Sequence, residues 1–394
     1  MKRWWPVLLL LVLGATAAFW TRGPGREKDG DKSSASVAEL LGTPSAAGFD
    51  RAVHKRRFSF PADHRPHPGF RNEWWYFTGN LQTAEGREFG YQLTFFRAAL
   101  LPDPVERESR WGANEVYLAH FTVTDVKGGS FHVAERFSRA ALGLAGAGGD
   151  PLVVHLEDWA AREVGSEPWT LRLTAENEPE AIDLTVRQVL PPVLNGEAGL
   201  SRKSGTPGNA SYYYSVPRMA TEGTVRIRGE TFRVAGLSWF DREWSTSALE
   251  PGQTGWDWFA LHLDDGRSVM IYRIRRKDGT PDPSSSGTVV APDGTARTLA
   301  ASDAVLQVTD RWRSPVTGVD YPSRWRLKIP SERLDLEIVP MVAGQELVVT
   351  FRYWEGAVRV EPVAGGAPGG TGYVELTGYD DRSATRGGRA PVAE

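Results

Sequence analysis

The sequence predicts an all-β chain of two tandem antiparallel domains, and three observations carry that prediction. First, two aromatic stretches spell one strand: Glu73-Trp74-Trp75-Tyr76-Phe77-Thr78-Gly79-Asn80-Leu81 and Gly255-Trp256-Asp257-Trp258-Phe259-Ala260-Leu261-His262-Leu263. Superimposed, they match Trp74 with Trp256, Tyr76 with Trp258, Phe77 with Phe259 and Leu81 with Leu263. Second, each copy passes through a turn (Thr83 to Arg87; Asp264 to Arg267) into another alternating run, Phe89 to Phe95 or Val269 to Ile274. Copies so far apart are domains rather than solenoid repeats, whose period is roughly 20 to 50 residues. Third, apolar residues alternate with period two nearly everywhere and helical periodicity is almost absent.

The elements follow in chain order. Lys2-Arg3, an apolar run from Trp4 to Leu13 and the small residues Gly14 to Ala18 have the pattern of a secretory signal, with a cleavage site at Ala15 to Ala17. Uncleaved, the Trp4–Trp20 stretch would serve as a membrane anchor, being only slightly short of the roughly 20 residues a span needs. Residues 1–20 are therefore read as signal or anchor and 21–57 as a flexible linker, too polar to offset ordering entropy. The chain is then exported, either periplasmic or anchored facing the periplasm. The first domain is placed at 58–248, the second at 249–383 and a disordered tail at 384–394.

Strands are expected through Val116 to Val123, Leu171 to Leu173, Ile182 to Val186, Trp325 to Ile329 and Leu334 to Ile338, each showing one apolar face. Asn195-Gly196, Asp265-Gly266, Asp278-Gly279 and Asp293-Gly294 mark turns that need positive φ. A short helix is expected over Ser245 to Leu249, at the seam. The Pro/Gly-rich stretch Pro362 to Gly370 reads as a loop inside the second domain.

Composition narrows the chemistry. With 394 residues and a net charge of -3, the chain has room for two cores and no basic stripe for nucleic acid. It contains no cysteine, which removes thiolate metal sites, iron-sulfur clusters, cysteine nucleophiles and disulfides. No nucleophile elbow, phosphate loop or dinucleotide fingerprint appears. Asp63-His64-Arg65-Pro66-His67-Pro68 gathers histidines near Glu73, but its prolines dictate an irregular loop, so neither metal nor cofactor is expected.

The densest polar and aromatic cluster is Leu237-Ser238-Trp239-Phe240-Asp241-Arg242-Glu243-Trp244-Ser245. A carboxyl held against indole keeps its proton more readily, as a general acid near neutral pH requires. Asp241 and Glu243 are thus the candidate acids, although ion pairing with Arg242 or capping of the following turn would use them equally well. Candidate ligand contacts are Glu73, Trp74, Tyr76, His120, Trp256 and Trp258, with core packing as the competing use of the rings.

Several separated motifs resemble the AttH-like and carotenoid 1,2-hydratase family. They are Phe60-Pro61-Ala62-Asp63-His64 with Glu73 to Gly79, Tyr212-Tyr213-Tyr214-Ser215, Trp239 to Ser245, Gly255 to Phe259, and Tyr353-Trp354-Glu355-Gly356 with Gly372 to Tyr379. The resemblance runs from Phe58 to Asp381 and implies two tandem lipocalin-like (calycin) barrels. Hydratases of that family add water to an isoprenoid double bond without a cofactor. The resemblance implies Asp241 or Glu243 as proton donor, with Trp244, Trp256 and Tyr272 around the cation. Two positions depart from it: Arg242 stands where the family usually has histidine, and Ile274 follows Tyr272-Arg273 where the hydratases carry an acid. Arginine cannot take histidine's acid-base role and isoleucine holds no proton.

The leading expectation is accordingly an exported carrier of a long apolar molecule, a lipid or isoprenoid, working beside an ABC transporter permease. The alternatives are a cofactor-free hydratase and a transporter-docking module. Barrels of this type enclose one apolar ligand readily.

Overall fold

A computed structural model describes residues 47–379 except 107, 248 and 364–366. The expected signal or anchor, most of the linker and the C-terminal tail lie outside the described residues. Among the described residues thirteen strands form one antiparallel sheet and ten form a second, and no α-helix occurs. The all-β, tandem-barrel prediction holds.

The first sheet runs, neighbour to neighbour, through Ser130–Arg139, Glu115–Asp125, Glu88–Ala99, Asn72–Gln82, Glu230–Ser245, Ala210–Ile227, Glu180–Gln188, Trp169–Asn177, Trp159–Ser166, Val153–Leu156 and Ala145–Gly148. Its last strands return against Glu115–Asp125 and Ser130–Arg139, so the sheet nearly closes into a barrel. The second follows the same plan as a half-barrel: Ala296–Ala300, Ser286–Val290, Ser268–Arg276, Gln253–Leu263, Gly370–Thr377, Arg352–Pro362, Leu334–Pro340, Asp320–Ile329 and Val305–Arg313. All nine strands of this path have a counterpart in the first sheet. Asn72–Gln82 and Gln253–Leu263, the two copies found in the sequence, hold the same place in each.

Each sheet fills its own interior. Trp75, Phe77, Phe95, Phe121, Trp159, Phe240 and Trp244 pack inside the first, and Phe259, Leu261, Trp325, Leu336 and Trp354 inside the second. A third cluster, Tyr76, Tyr213, Trp239, Trp258, Met270 and Tyr272, forms where the outer faces of the two sheets meet. Both faces of the aromatic strands are covered because one serves a barrel and the other this seam.

Gly266 (φ 89°) and Gly294 (φ 87°) turn the Gln253–Leu263/Ser268–Arg276 and Ser286–Val290/Ala296–Ala300 hairpins, as their Asp-Gly pairs predict. The helix expected over Ser245–Leu249 does not form; Ser245 instead ends the Glu230–Ser245 strand, whose ladder with Asn72–Gln82 runs to that residue. Helical turns occur at Ala62–His64 and Pro330–Glu332. The expected linker also gives way from residue 47. The Asp50 N–H donates to Gly69 O at 2.8 Å, and Ala52 is buried in the first core. Phe49 and Ala52 supply the apolar surface that orders this segment.

A charged network lies inside the first barrel. The fully buried Glu73 carboxylate pairs with Arg242 and, at 2.9 Å, with Arg97, and accepts from the His67 backbone N–H. Burial alone would raise the Glu73 carboxyl; Arg242, His67 and Arg97 bring it down to about 2. Arg242 also lies 3.9 Å from the centre of the Trp75 ring. Removing one member of a buried ion network strands the others. Glu73→Gln is therefore expected to cost about 3–5 kcal/mol, read as a lower urea midpoint at unchanged slope.

Candidate active site

Strand alternation builds the site. Along Glu230–Ser245, Trp239, Asp241 and Glu243 point outward to the seam while Phe240, Arg242 and Trp244 point into the barrel. Along Asn72–Gln82, Trp74 and Tyr76 face the seam and Glu73 and Trp75 the interior. The resulting cavity is walled by Trp74, Tyr76, Phe96, Lys203, Tyr213, Asp241 and Glu243 from the first sheet, and by Trp256, Trp258, Tyr272, Ile274, Tyr353 and Glu375 from the second.

Asp241 is 4 % exposed and saturated with donors. It accepts from Tyr213 Oη at 2.6 Å, Ser215 Oγ at 2.5 Å and Trp239 Nε1 at 2.7 Å. Burial raises its pKa to about 7 against those three hydrogen bonds, and the nearby Glu243 adds to the rise. The second sheet braces this acid, since Thr288 Oγ1 donates to Asn195, whose Nδ2 donates to Ser215. Trp258 Nε1 donates to Tyr213 Oη at 3.1 Å, which directs the Tyr213 proton to Asp241.

Glu375 stands opposite. It accepts one hydrogen bond, from Trp256 Nε1 at 2.6 Å, and burial together with the charges of Asp241 and Glu243 raises it to about 7. In the ladders Asp241 is opposed by Tyr76 and Glu375 by Trp258. The two acids are therefore equivalent positions of the repeat, as are Tyr213 and Tyr353, or Ser215 and Glu355. Glu355, 0 % exposed, accepts from Tyr76 Oη; burial and then Glu375 push its carboxyl well above the usual range.

Glu243 pairs with Lys203 at 2.8 Å, and the ammonium lies 4.9 Å from the Tyr272 ring centre. A second, mostly apolar hollow shares Trp74 and Phe96 with the first and is lined further by Leu118, His120, Phe137 and Phe351.

The structure thus brings Asp241, Glu243, Tyr272, Trp74, Tyr76, Trp256 and Trp258 together around one cavity. Trp244 lies elsewhere, stacked on His67 inside the barrel (3.7 Å between ring centres), because even and odd positions of its strand face opposite ways; Glu73, clamped by arginines, borders the second hollow rather than the first. His120 borders the second hollow and reaches the first through Tyr353, its Nδ1 lying 2.6 Å from Tyr353 Oη. Arg242, the substitution for the family histidine, faces the barrel interior and leaves the cavity chemistry untouched. Lys203, Tyr213, Tyr353, Glu355 and Glu375 join the site unannounced. All but Lys203 sit in the family-like motifs, and only strand pairing reveals that they converge. The histidines of the Asp63–Pro68 loop serve packing, His64 stacking on Trp169 at 3.8 Å; no metal-holding group of acids and histidines occurs among the described residues.

Residues 51–379 match the AttH-like family. The chain belongs to that family. A crystal structure assigned to AttH from Nitrosomonas europaea is 33% identical with a TM-score of 0.75, covering 84% of this chain and 100% of that one. Kievitone hydratase of Fusarium solani subsp. phaseoli is 25% identical over 207 residues, 49% of this chain and 57% of the relative's length. The alignment thus spans little more than half of that curated relative. The crystal structure of kievitone hydratase from Nectria haematococca shares the fold, with a TM-score of 0.63 at 17% identity over 84% of this AttH-like chain and 98% of that one.

The raised carboxyls set a pH dependence. A carboxyl whose pKa is higher folded than unfolded adds stability that is complete below the unfolded value, about 4.3 for Glu, and is lost as pH rises through the folded value. Wild-type stability should fall between pH 4.5 and pH 7.5, and Glu375→Gln, which keeps an acceptor for Trp256, should flatten that slope. Denaturant titrations across this range check it.

Proposed function

We propose that this AttH-like protein is a cofactor-free hydro-lyase that adds water to, or removes it from, a carbon-carbon double bond of an apolar substrate held between the two sheets. The observation that carries the reading is the pair of acids poised near pH 7, Asp241 and Glu375, in a cavity walled by indole and phenol rings. Kinship with kievitone hydratase supports the same chemistry.

The roles follow from the hydrogen bonds. Asp241 has its oxygens engaged by three donors and positions Tyr213 and Trp239. Glu375 accepts one and keeps a free face, so Glu375 is the proton donor. Its O–H bond breaks as a C–H bond forms on one alkene carbon. The cation on the other carbon is stabilised by the faces of Trp74, Tyr76, Trp256, Trp258 and Tyr272. Water closes a C–O bond there and gives its surplus proton back to the Glu375 carboxylate, so no net proton is consumed. The second hollow, beyond Trp74 and Phe96, accommodates the apolar remainder of an elongated substrate.

A carrier would use the same cavity, since Trp74, Tyr76, Trp256 and Trp258 all line it, and would bind the apolar molecule without converting it. Export and a transporter partner are separate proposals, testable by locating the protein in fractionated cells and by pull-down with the permease.

Incubating the protein with kievitone in 18O-labelled water and following product mass tests the proposal. One labelled water per product is expected, and Glu375→Gln should reduce kcat by about 100-fold or more. The rate should decline as pH rises through about 7, where the acid loses its proton. Kievitone left unchanged, alongside other apolar alkenes, would reject hydration. Trp256→Ala with Trp258→Ala should abolish binding of the same alkenes, read as loss of ligand-induced stabilisation.

A further inference from the structure

Behind the cavity a line of polar groups leads to the surface and has no part in the reaction just described. Glu135, whose side chain is 19% exposed, sits on the Ser130–Arg139 strand, where Thr350 Oγ1 donates to its Oε1 at 2.6 Å. Its Oε2 lies 3.0 Å from Nε2 of His120, which is 0 % exposed. His120 Nδ1 lies 2.6 Å from Tyr353 Oη, and Tyr353 lines the cavity. Gln92 Nε2 donates to the same phenol oxygen at 3.2 Å. Two residues on from Tyr353 along one sheet face is Glu355, directly opposite Glu375 in the ladder. Burial first, and then the charges of Glu355, Glu375 and Glu135, push the Tyr353 phenol up. Glu355 Oε2 is buried and has no hydrogen-bond partner.

An apolar wall would hold these strands together equally well, and a buried chain of titratable groups is costly where it has no use. The geometry points to Glu135, His120 and Tyr353 as a proton path joining solvent to the buried acid Glu355 and its neighbour Glu375. Imidazole suits the middle position because it takes a proton on one nitrogen while releasing one from the other. Exchange of the inner carboxyl proton with solvent requires three hops. The Tyr353 O–H proton passes to Glu355, the His120 Nδ1 proton passes to Tyr353 Oη, and His120 Nε2 takes a proton from solvent through the Glu135 carboxyl, which, against the rise burial alone would cause, His120 and Thr350 hold below the usual range, so that it is protonated only in transit. One proton has moved inward, histidine ends neutral as it began, and Glu135 reloads from water. Tyr353, His120 and Glu135 are relay groups and do not touch the substrate. Phe96 and Tyr353 pack on the imidazole at 5.5 Å between centres and shut out direct solvent.

The use of this path in turnover rests on the hydration reading, but its existence is testable without substrate. Infrared spectra of the full protein, switched from H2O to D2O, should show a buried protonated-carboxyl band that disappears in Glu355→Gln. Its deuterium exchange should slow roughly tenfold or more in His120→Phe and in Glu135→Gln. The latter keeps an oxygen to accept from Thr350 and offers an N–H to His120 Nε2, and so leaves the fold intact. A band absent from the wild type, or exchange as fast in Glu135→Gln as in wild type, would overturn the proposal. Were exchange slowed while kievitone stayed unreacted, the path would stand and the hydration reading would fall.

Discussion

Alternation of side chains along Glu230–Ser245 governs both the stability of this protein and the location of its chemistry. Successive residues of a strand must face opposite ways. The run Trp239-Phe240-Asp241-Arg242-Glu243-Trp244 therefore divides into an outward set of one indole and two acids and an inward set of a phenyl ring, a guanidinium and an indole. The inward set locks the first barrel through Glu73. The outward set receives the second sheet. A shift of one residue in pairing with Asn72–Gln82 would bury Asp241 and Glu243 among the barrel rings and present Arg242 to the cavity. The Glu73–Arg242 pair holds that register because any other leaves a buried charge without a partner.

From this follows the electrostatic character of the seam. Two sheets meeting through aromatic outer faces exclude water, so Asp241, Glu355 and Glu375 hold their protons above the usual carboxylate range. The repeat doubles the effect: Asp241 and Glu375 are equivalent positions, and Glu375 also feels the charge of Asp241. Differences between the halves divide their labour. On the first side serine, tyrosine and tryptophan donors hold Asp241; on the second Ser215 is replaced by Glu355, leaving a pair of acids with few donors and a histidine behind them.

Much of the architecture was legible from alternation, Asp-Gly turns and the Trp-rich repeat, because strands and hairpins are local in origin. The pairing of Trp74 with Trp256 and Tyr76 with Trp258 correctly announced equivalent strands. Asp241 and Glu243 stood out through their aromatic neighbours. Trp244 stood out for the same reason and lies inside the barrel, since composition does not say which face of a strand meets the cavity. Glu375 and Glu355 were hidden because their importance comes from strands distant in sequence. The location of the cavity was hidden too: a barrel fold suggests an interior ligand, whereas the volumes of Trp75, Trp159, Phe240 and Trp244 fill that interior. The segment at Phe49 and Ala52 shows how a few apolar residues order a stretch that otherwise reads as linker.

The most direct test of the account is a crystal structure with an apolar alkene bound. The account predicts density in the seam cavity beside Trp74 and Tyr272, with an alkene carbon within hydrogen-bonding reach of a Glu375 oxygen and the apolar remainder extending past Trp74 and Phe96. Density inside the first barrel among Trp75, Phe121 and Trp159, or in the second sheet's interior beside Trp325, would contradict it.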